Sequence, residues 1–448
     1  MKNKVLKIYY RLLASLARRY VRKHRPLVIG VNGSVGKTSC RMIITDILKK
    51  YLKGSVIYTS PKNFNGELGM SLAIFQIEKW EGSVAEMLTT LLKCQMRLWS
   101  AHRPYDITVL EYGIDTPGEM DFLTSIVKPH ISILTKIDAV HSLQFGNPQE
   151  IAREETKLQR NTLETCILNA DDVYARTLGK IVDVDTLRYD TNESDDTALQ
   201  IRFVNYTLAK NAGAIGSSAQ VTVGKKQLTV STNLFGKHHY GYIAAGLAIA
   251  DIAHYKLYGK DCVQASGGLN LVLNLQPGRM SVFAGINGSI IIDSSYNASP
   301  ASVQSAINDT YRMHRDLLPD YKVILVLGDM RELGTREEKH HRELAGYLSQ
   351  YPDEIFLLGA ATGKYTVDEA KKIGMNADHI HHFLHYNELG KELRLFIEKN
   401  SHDKFLILFK GSQNTIFLEE SIKHILKDKN DHNNLTRQGA YWEKKKVM

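Results

Sequence analysis

The order of apolar and polar positions predicts strands and helices that alternate along the chain. From Leu27 to Lys53, an apolar strand leads into a glycine-rich turn and then into a helical pattern that begins near Met42. Short β-rich runs at 107–111 and 131–137 are each followed by polar turn residues and a helical stretch. This order predicts an α/β fold with a parallel sheet, in which ligands bind at the carboxyl ends of the strands.

The pattern changes twice further along the chain. Between about residues 182 and 233, short alternating runs joined by polar turns predict an antiparallel extension of the first unit. A Pro/Gly break at Gln276–Gly278 marks a domain boundary. Beyond it, strands that alternate with helical stretches predict a second, smaller α/β unit; they are Ser289–Asp293, Val323–Leu327, Glu354–Leu358 and Phe405–Phe409.

These patterns divide the chain into four parts. They are an N-terminal helix (1–25), a central P-loop domain with a parallel sheet (26–275), a smaller Rossmann-like α/β C-terminal domain (276–427) and a polar tail (428–448). We expect the tail to be loosely ordered, because it is polar and lies at the chain end.

Composition is typical of a soluble globular protein, with 43% hydrophobic and 23% charged residues. No apolar run reaches the roughly 18 residues that span a bilayer, and no signal peptide is apparent. The four cysteines are far apart, which argues against a disulfide framework and a zinc site. We therefore predict a cytoplasmic protein.

Positive charge is concentrated at the start of the chain. No acidic residue precedes Asp46, whereas nine lysines and arginines fall among the first 25 residues. Apolar residues such as Leu6, Leu13 and Tyr20 recur near helical spacing, so this segment is predicted to be a basic amphipathic helix. Two interpretations remain open: the helix packs on its own domain, or it makes peripheral contact with an anionic membrane.

The glycine-rich turn after the first strand is a candidate phosphate-binding loop. Its backbone N–H groups and the following helix N-terminus suit phosphate oxygens, while a lysine adds charge and a hydroxyl suits Mg²⁺. The candidate nucleotide-binding residues are Gly33, Ser34, Gly36, Lys37, Thr38 and Ser39. The spacing departs from GxxxxGK[ST], because Val31 lies five residues before Gly36. A specialised subclass of P-loop is therefore predicted.

Two short motifs suggest a GTPase switch protein as an alternative. The run 115–118 (DTPG) resembles a DxxG loop, and 135–138 (TKID) resembles the guanine-reading NKxD motif. Only about 20 residues separate them, enough for one crossover, so the second motif would come too early in the sheet. Its first position is also Thr135 rather than asparagine.

Motifs along most of the chain resemble the Mur ligase family in the same order. The loop 32–39 (NGSVGKTS) is similar to that family's TGTNGKT, with the same glycine spacing. Further similar segments are 60–69 (SPKNFNGELG), 110–113 (LEYG), 117–119 (PGE), 276–280 (QPGRM), 292–300 (IDSSYNASP), 327–334 (LGDMRELG) and 410–412 (KGS). Several matches in one order are far more specific than any single one.

This resemblance implies an ATP-dependent amide ligase. Such an enzyme uses ATP and Mg²⁺ to convert a carboxylate to an acyl phosphate, which an amine then attacks. The resemblance is greatest to the branch that adds D-alanyl-D-alanine to a UDP-muramoyl tripeptide in peptidoglycan biosynthesis. It implies a small-molecule or peptide substrate and no nucleic-acid partner, and we expect a monomer.

The resemblance also assigns roles to individual residues. It places Lys37 and Thr38 against the phosphates and Mg²⁺, and it makes Glu111 and His141 metal ligands. Arg279 and Asp293 are expected to reach the nucleotide from the C-terminal domain. Lys37, Glu111, His141 and Glu155 form the predicted catalytic set, and His341 matches a further histidine of the family.

Three departures from the family pattern bear on the substrate and the metal. The phosphate loop begins about 30 residues from Met1, so the usual N-terminal UDP-binding domain is not expected. Glu155 stands at the position of a carbamoylated lysine, and we hypothesise that its carboxylate replaces the carbamate. His239 and Tyr242 stand where asparagines are usual; Tyr242 would stack on adenine or form a hydrogen bond with it.

The sequence leaves three alternatives to a cell-wall peptide ligase. They are a GTPase, a catalytically inactive nucleotide-binding partner of another enzyme, and a ligase of the same family that acts on a different, non-UDP substrate.

Overall fold

The computed structural model describes residues 2–447 apart from 62–63, 81, 139–144, 146, 179–181, 212–213, 352–353 and 413–414. Its strands form a ten-stranded sheet and a six-stranded sheet. The larger sheet contains β1 Leu27–Asn32, β2 Ile57–Thr59, β3 Ile107–Glu111, β4 Ile131–Leu134, β5 Thr165–Asn169, β6 Asp185–Tyr189, β7 Ile201–Asn211, β8 Ala214–Val223, β9 Lys226–Thr232 and β10 Ser266–Leu271. The smaller sheet contains β11 Ser281–Ala284, β12 Ile290–Ser294, β13 Tyr321–Gly328, β14 Glu354–Leu358, β15 Ile380–Phe383 and β16 Lys404–Lys410.

Helices lie between these strands and at both ends of the chain. The described α-helices are α1 Lys2–His24, α2 Lys37–Tyr51, α3 Glu67–Ile74, α4 Val84–Trp99, α5 Glu119–Ile126, α6 Pro148–Glu155, α7 Lys157–Arg160, α8 Ala175–Leu178, α9 His238–Tyr258, α10 Pro300–Leu317, α11 Glu337–Leu348, α12 Asp368–Lys372, α13 Tyr386–Lys399, α14 Glu419–Ile422 and α15 Ala440–Val447. The predicted α/β architecture, with a large and a smaller sheet, is confirmed.

Helices cover both faces of the larger sheet. On one face, α2 and α9 pack through a cluster of buried apolar side chains that includes Ile43 and Ile47. On the other face, α1, α3, α4 and α5 pack in a second cluster that includes Leu13 and Phe75. Every residue of β1 is buried as a result, as expected for a parallel strand covered on both sides.

The topology of the larger sheet places the phosphate loop in a crevice. The strand order is β10-β9-β8-β7-β6-β5-β4-β1-β3-β2, so β1 lies between β3 and β4. Val31 of β1 is in register with Glu111 of β3, and Asn32 with Leu134 of β4. The chain crosses over in opposite directions on the two sides of β1, which is where parallel α/β sheets bind ligands.

Strands β7, β8 and β9 form the antiparallel extension that the sequence predicts. They join the parallel strands through β6, so the extension belongs to the same sheet. The smaller sheet has the order β11-β12-β16-β13-β14-β15 and is parallel except for β11. The four predicted strands of this unit are confirmed, while β11 and β15 are additional.

Helix α1 packs on the central domain, in agreement with the first of the two interpretations. Tyr9, Leu13 and Tyr20 are buried on one side of the helix, and Arg18 donates to the Ser125 carbonyl oxygen at 2.7 Å. One apolar side of this basic helix is therefore used inside the protein, whereas Ile8 and Leu12 remain exposed. Among the described residues, no helix has the length and hydropathy to cross a membrane.

The segment after residue 427 corrects the expectation of a loose tail. Arg437 forms a buried ion pair with Glu419, with Nε at 2.7 Å from Oε1 and Nη2 at 2.5 Å from Oε2. The guanidinium also donates to the backbone oxygens of Ser295 and Tyr296. This polar segment is held by buried charge together with Leu435, which packs in the apolar core of the C-terminal domain, and its composition does not indicate the buried charge.

The Arg437–Glu419 pair is expected to stabilise the C-terminal domain. Arg437→Met leaves the Glu419 carboxylate buried and unpaired, so the free energy of unfolding should fall by about 3–5 kcal/mol. The double variant Arg437→Met, Glu419→Leu should recover part of the lost stability, because neither buried charge then remains. Urea unfolding measures both values, with Glu443→Ala, an exposed position, as the control. Wild-type stability for Arg437→Met would show that the tail is not anchored.

Candidate active site

The phosphate loop has the backbone shape that its glycines predict. Gly33 and Gly36 have φ values of +121° and +88°, which favour glycine. A side chain at Gly36 would collide with the Tyr242 hydroxyl, and one at Gly33 would collide with Thr135. Both glycines are therefore required by conformation and by close approach of neighbouring residues.

Lys37 begins helix α2 and lies over the loop. Its Nζ donates to the carbonyl oxygens of Gly33 and, at 3.3 Å, Ser34. Phosphate oxygens are stronger acceptors for an ammonium group than these carbonyls, because the hydrogen bond is then between opposite charges. The lysine is therefore positioned to exchange backbone contacts for a phosphate.

The Glu111 carboxylate lies directly beside the loop, at the end of β3. It accepts hydrogen bonds from Thr38 Oγ1 at 3.1 Å, from Asn65 Nδ2 at 3.0 Å and from Arg41 Nε at 3.2 Å. Thr38 and Glu111 thus meet as the sequence predicts, and they bring a hydroxyl and a carboxylate oxygen together. Oxygens of this kind are what Mg²⁺ prefers.

Surrounding charge keeps Glu111 ionised despite its burial. Burial alone disfavours the charged carboxylate, but Arg41, Lys37, Asn65 and Arg279 outweigh it and lower the pKa of Glu111 below its usual value. Arg41 is 1% exposed and was not among the predicted site residues. The available signal was its position, one helical turn after Lys37 on the same face of α2.

The predicted metal ligand His141 lies outside the described residues, so its role stays a prediction. Among the described residues, no group of three or more His, Cys, Asp or Glu side chains could hold a metal ion. Thr38 and Glu111 fit Mg²⁺ as a small set of oxygen donors, since Mg²⁺ commonly completes its coordination with phosphates and water.

Glu155 lies behind the phosphate loop rather than on the wall of the cavity. Its Oε2 accepts from Asn32 Nδ2 at 2.7 Å and from the Gly33 N–H at 3.0 Å. Gln159 Nε2 completes this buried network by donating to Asn32 Oδ1 at 2.7 Å. Burial raises the pKa of Glu155, although Lys37 counteracts this shift. Glu155 therefore supports the loop and, unlike Thr38 and Glu111, is not among the residues that line the cavity; its replacement of the carbamate stays a prediction.

A large cavity joins the phosphate loop to the C-terminal domain. Its volume is about 730 Å³, within the range of small-molecule sites. Besides the loop, the central domain contributes Glu111 and Tyr242, and the C-terminal domain contributes Arg279 and Lys410. Arg279 and Tyr242 therefore line one cavity with Lys37, as the sequence predicts.

Arg279 is held in place by its own neighbours. Its guanidinium carbon lies 4.4 Å from the centre of the Tyr296 ring. Gly278 and Met280 on either side have φ values of +74° and +62°. The buried Nε has no hydrogen-bond partner among the described residues, which leaves this cation able to accept an anionic ligand.

Lys410 is a second cation of this wall and lies at the end of β16. Its Nζ donates to the carbonyl oxygens of Asn297 and, at 3.4 Å, Ser294. Burial, together with the charge of Arg279, lowers the pKa of Lys410 to about 7. The sequence showed the KGS motif but did not assign this lysine a role.

Strand alternation separates Asp293 from the cavity. Asp293 is fully buried in β12, and its Oδ1 accepts from the Ser295 N–H at 2.9 Å. The neighbouring Ser294 lines the cavity instead. The predicted nucleotide contact of Asp293 is therefore not brought to the site, because successive side chains of a strand point to opposite faces.

The start of α9 forms an uncharged part of the wall. Burial, with the charges of Lys410 and Lys136, lowers the pKa of His238 to about 4, and burial also lowers the pKa of His239. Tyr242 is buried, with its ring centre 6.0 Å from that of His238. Neutral imidazoles and an aromatic ring suit a flat heterocycle better than a phosphate.

The histidine of the LGDMRELG segment has a structural position. His341 is fully buried, and its Nε2 accepts from the Met330 N–H at 3.1 Å while Nδ1 lies 2.9 Å from the Glu337 oxygen. Accepting at Nε2 and donating at Nδ1 requires the neutral tautomer. His341 therefore fixes the segment 329–334 without reaching the cavity.

The loop that resembles a guanine-reading motif supports the phosphate loop. The Thr135 hydroxyl donates to the Val35 oxygen at 2.7 Å, and the Lys136 oxygen accepts from the Ser34 N–H at 2.7 Å. Thr135 and Lys136 thus hold the phosphate loop, and the Asp138 carboxylate accepts from the Ser299 hydroxyl at 3.0 Å. These contacts within the protein weigh against a guanine-reading role and hence against the GTPase hypothesis.

Two family models match the chain. The one described as Mur ligase middle domain matches residues 31–250, and the one described as Mur ligase, glutamate ligase domain matches residues 278–413. Among solved structures, the chain is similar to MurF from Acinetobacter baumannii, with a TM-score of 0.69, 20% identity and coverage of 92% of this chain and 79% of that one. It is also similar to MurF ligase from Thermotoga maritima in complex with ADP, with a TM-score of 0.66, 22% identity and coverage of 93% and 83%.

Characterised relatives carry the same name in different bacteria. The UDP-N-acetylmuramoyl-tripeptide–D-alanyl-D-alanine ligase of Bacillus subtilis is 27% identical, over 92% of this chain and 79% of the relative. That of Borreliella burgdorferi is 26% identical, over 90% and 75%. With both family models in the expected order, the chain belongs to the Mur ligase family of ATP-dependent carbon–nitrogen ligases.

Proposed function

We propose that this ligase joins D-alanyl-D-alanine, or an amine of that type, to a carboxylate of a cell-wall peptide precursor. The observation that carries the proposal is the single cavity in which the phosphate loop and Glu111 face Arg279 and Lys410. The similarity to UDP-N-acetylmuramoyl-tripeptide–D-alanyl-D-alanine ligases supports the choice of substrates. We further propose that the protein acts as a cytoplasmic monomer.

The first step transfers the γ-phosphoryl group of ATP to a carboxylate oxygen and releases ADP. Lys37 holds the outer phosphates, while Arg279 and Lys410 supply positive charge from the opposite wall. Mg²⁺, when bound beside Thr38 and Glu111, would neutralise further charge on the phosphates. These groups allow two anions, the triphosphate and the acceptor carboxylate, to approach each other.

The second step forms the amide. The amine nitrogen attacks the carbonyl carbon of the acyl phosphate, the carbon–oxygen bond to phosphate breaks, and the nitrogen loses a proton. Acyl phosphates hydrolyse readily, so the enclosed wall made by both domains serves to exclude water. His238 and Tyr242 would lie against the nucleotide base, and Ser294 against the remaining polar parts of the ligand.

ADP release that depends on both substrates tests this function. We expect release when a UDP-muramoyl tripeptide and D-alanyl-D-alanine are both present, with ATP and Mg²⁺, and little when either is omitted. Lys37→Ala should reduce the rate at least about 100-fold, because it removes a charge that stabilises the moving phosphoryl group. Lys53→Ala, an exposed lysine after α2, is the matched control.

Two results would contradict the proposal. GTP hydrolysis that needs no second substrate would favour the switch protein. Tight ATP binding without release, across a panel of peptide acceptors and amine donors, would favour an inactive nucleotide-binding partner. Release with another acceptor would keep the ligase but change its substrate.

The role of Glu155 can be separated from metal binding. Because its carboxylate holds Asn32 and the Gly33 N–H, Glu155→Ala should weaken ADP binding about tenfold even when EDTA removes Mg²⁺. Calorimetric titration of ADP measures this effect, and Glu150→Ala, an exposed glutamate of the same helix, is the control. A loss of affinity seen only with Mg²⁺ would instead support replacement of the carbamoylated lysine.

The lowered pKa of Lys410 predicts that the protein takes up a proton when it binds nucleotide. Its pKa is about 7 in the free protein, and a bound phosphate raises it, so binding above about pH 7 adds a proton and weakens as pH rises. Lys410→Met should bind nucleotide more weakly and take up less of a proton at about pH 8. Titrations in buffers of different ionisation enthalpy measure the difference, with Lys404→Met, exposed at the other end of β16, as the control. Equal proton uptake in both variants would refute this assignment.

A further inference from the structure

The outward side of helix α4 is a continuous apolar stripe. Five large side chains recur every three or four residues along it, and each is between 61% and 75% exposed. They are Val84, Leu88, Leu92, Met96 and Trp99. The opposite side of the helix meets the core through Thr90 and Cys94, which are buried. The stripe is therefore not required by the packing of α4 and is left on the surface.

Helix α1 runs beside α4 in the same direction and extends this surface. The Tyr9 hydroxyl donates to the Met87 oxygen at 3.2 Å near the start of α4, and Lys23 Nζ donates to the Leu98 oxygen at 2.8 Å near its end. Leu12 precedes Lys23 by 11 residues, which is close to three helical turns, so both lie on the side of α1 that faces α4. Ile8 is one turn earlier, and Ile8 and Leu12 are 59% and 51% exposed.

Positive charge borders this apolar surface. Among the residues of the two helices whose exposure is described, from residue 6 onward, the exposed cations are Lys7, Arg11, Arg19, Arg22, Lys23 and Lys93. Helix α1 contains no acidic residue. The one acidic residue of α4, Glu86, accepts a hydrogen bond from the Gly82 N–H at the start of the helix. The two helices thus combine apolar and cationic side chains, and the one carboxylate within them is engaged locally.

We propose that this α1–α4 surface, made of Ile8, Leu12, the α4 stripe and the bordering cations, binds an anionic lipid membrane. Apolar side chains on a helix parallel to the protein surface can enter the boundary between headgroups and acyl chains, while lysines and arginines meet lipid phosphates. Trp99 ends the stripe, and tryptophan favours this boundary. The charge pattern favours lipid over a protein partner, which would need matching acidic groups around an apolar centre.

The proposed α1–α4 surface differs from membrane binding by helix α1 alone. Tyr9, Leu13 and Tyr20 of α1 are buried in the central domain, so the helix need not detach. The folded domain would instead bind through α4, with α1 supplying most of the charge. This inference does not depend on the substrates proposed above, since neither helix contributes to the cavity lining.

Flotation of the full-length protein with vesicles tests the proposal. We expect co-flotation with vesicles of phosphatidylglycerol and phosphatidylcholine in equal parts, little with phosphatidylcholine alone, and weakening as salt is added. Vesicles whose acyl chains carry bromine should quench the fluorescence of Trp99, measured against Trp99→Phe. Absence of binding to the anionic vesicles would overturn the proposal.

Two double variants separate the apolar and charged contributions. Leu92→Asp with Met96→Asp should abolish binding, and Arg11→Gln with Arg19→Gln should weaken it about fivefold for each charge removed. Leu384→Asp with Leu395→Asp, two exposed leucines of the C-terminal domain, is the matched control. Circular dichroism and ADP affinity, unchanged in all three, would show that the fold is retained.

A second copy of the chain is the competing occupant of the surface. Light scattering without lipid distinguishes it: a dimer that the Leu92→Asp, Met96→Asp variant dissociates, together with no vesicle binding by the wild type, would overturn the membrane proposal. Vesicle binding that this variant retains would overturn it as well.

Discussion

A carboxylate that must stay ionised inside the protein organises the central domain. Glu111 is only 5% exposed, and a buried charge costs several kcal/mol unless other groups compensate it. The compensation comes from Arg41 and Thr38 on α2 and from Asn65 before α3. Segments far apart in the chain therefore converge at the carboxyl end of β3, beside the phosphate loop. The candidate phosphate loop and the Thr38–Glu111 pair are consequently built as one unit.

The wall of the cavity that the C-terminal domain contributes has an excess of positive charge. Arg279 is half-buried with a buried, unpartnered Nε, and Lys410 is buried; no described carboxylate forms an ion pair with either cation. Burial lowers the pKa of Lys410 to about 7. Such an arrangement is unfavourable in an isolated domain. The nucleotide proposed above would supply the missing negative charge and offset this cost. Relief of this unfavourable arrangement of charges on binding would add to the affinity for the nucleotide.

The sequence predicts the fold well where the physical signal is local. Fully buried parallel strands such as β1 and β13 are continuous apolar runs, and the glycine spacing identifies the phosphate loop. Strands β11 and β15 were missed because they are short and half exposed. Family membership, predicted from motif order, is confirmed by both domain models.

The site was harder to predict because its details depend on non-local contacts. An arginine on a helix usually indicates a solvated face, so Arg41 gave little signal of its ion pair. Asp293 and Ser294 are neighbours, and only the strand register shows which one reaches the cavity. The periodicity of α4 predicts an apolar face but not whether another element covers it. Arg437 pairs with Glu419, 18 residues away, so polarity alone suggested a loose tail.

The strand order of the smaller sheet has a consequence for biosynthesis. Its last strand in the chain, β16, lies in the middle between β12 and β13. The pair β11–β12 and the group β13–β14–β15 are joined only through β16, so the sheet cannot be completed until β16 is synthesised. Arg437, which pairs with Glu419, is synthesised later still. The central domain, whose strands are complete by residue 271, can fold while the ribosome is still translating, as N-terminal domains generally do. The C-terminal wall must wait until translation is nearly finished, so a product truncated before β16 would carry the phosphate loop and Arg279 but lack Lys410.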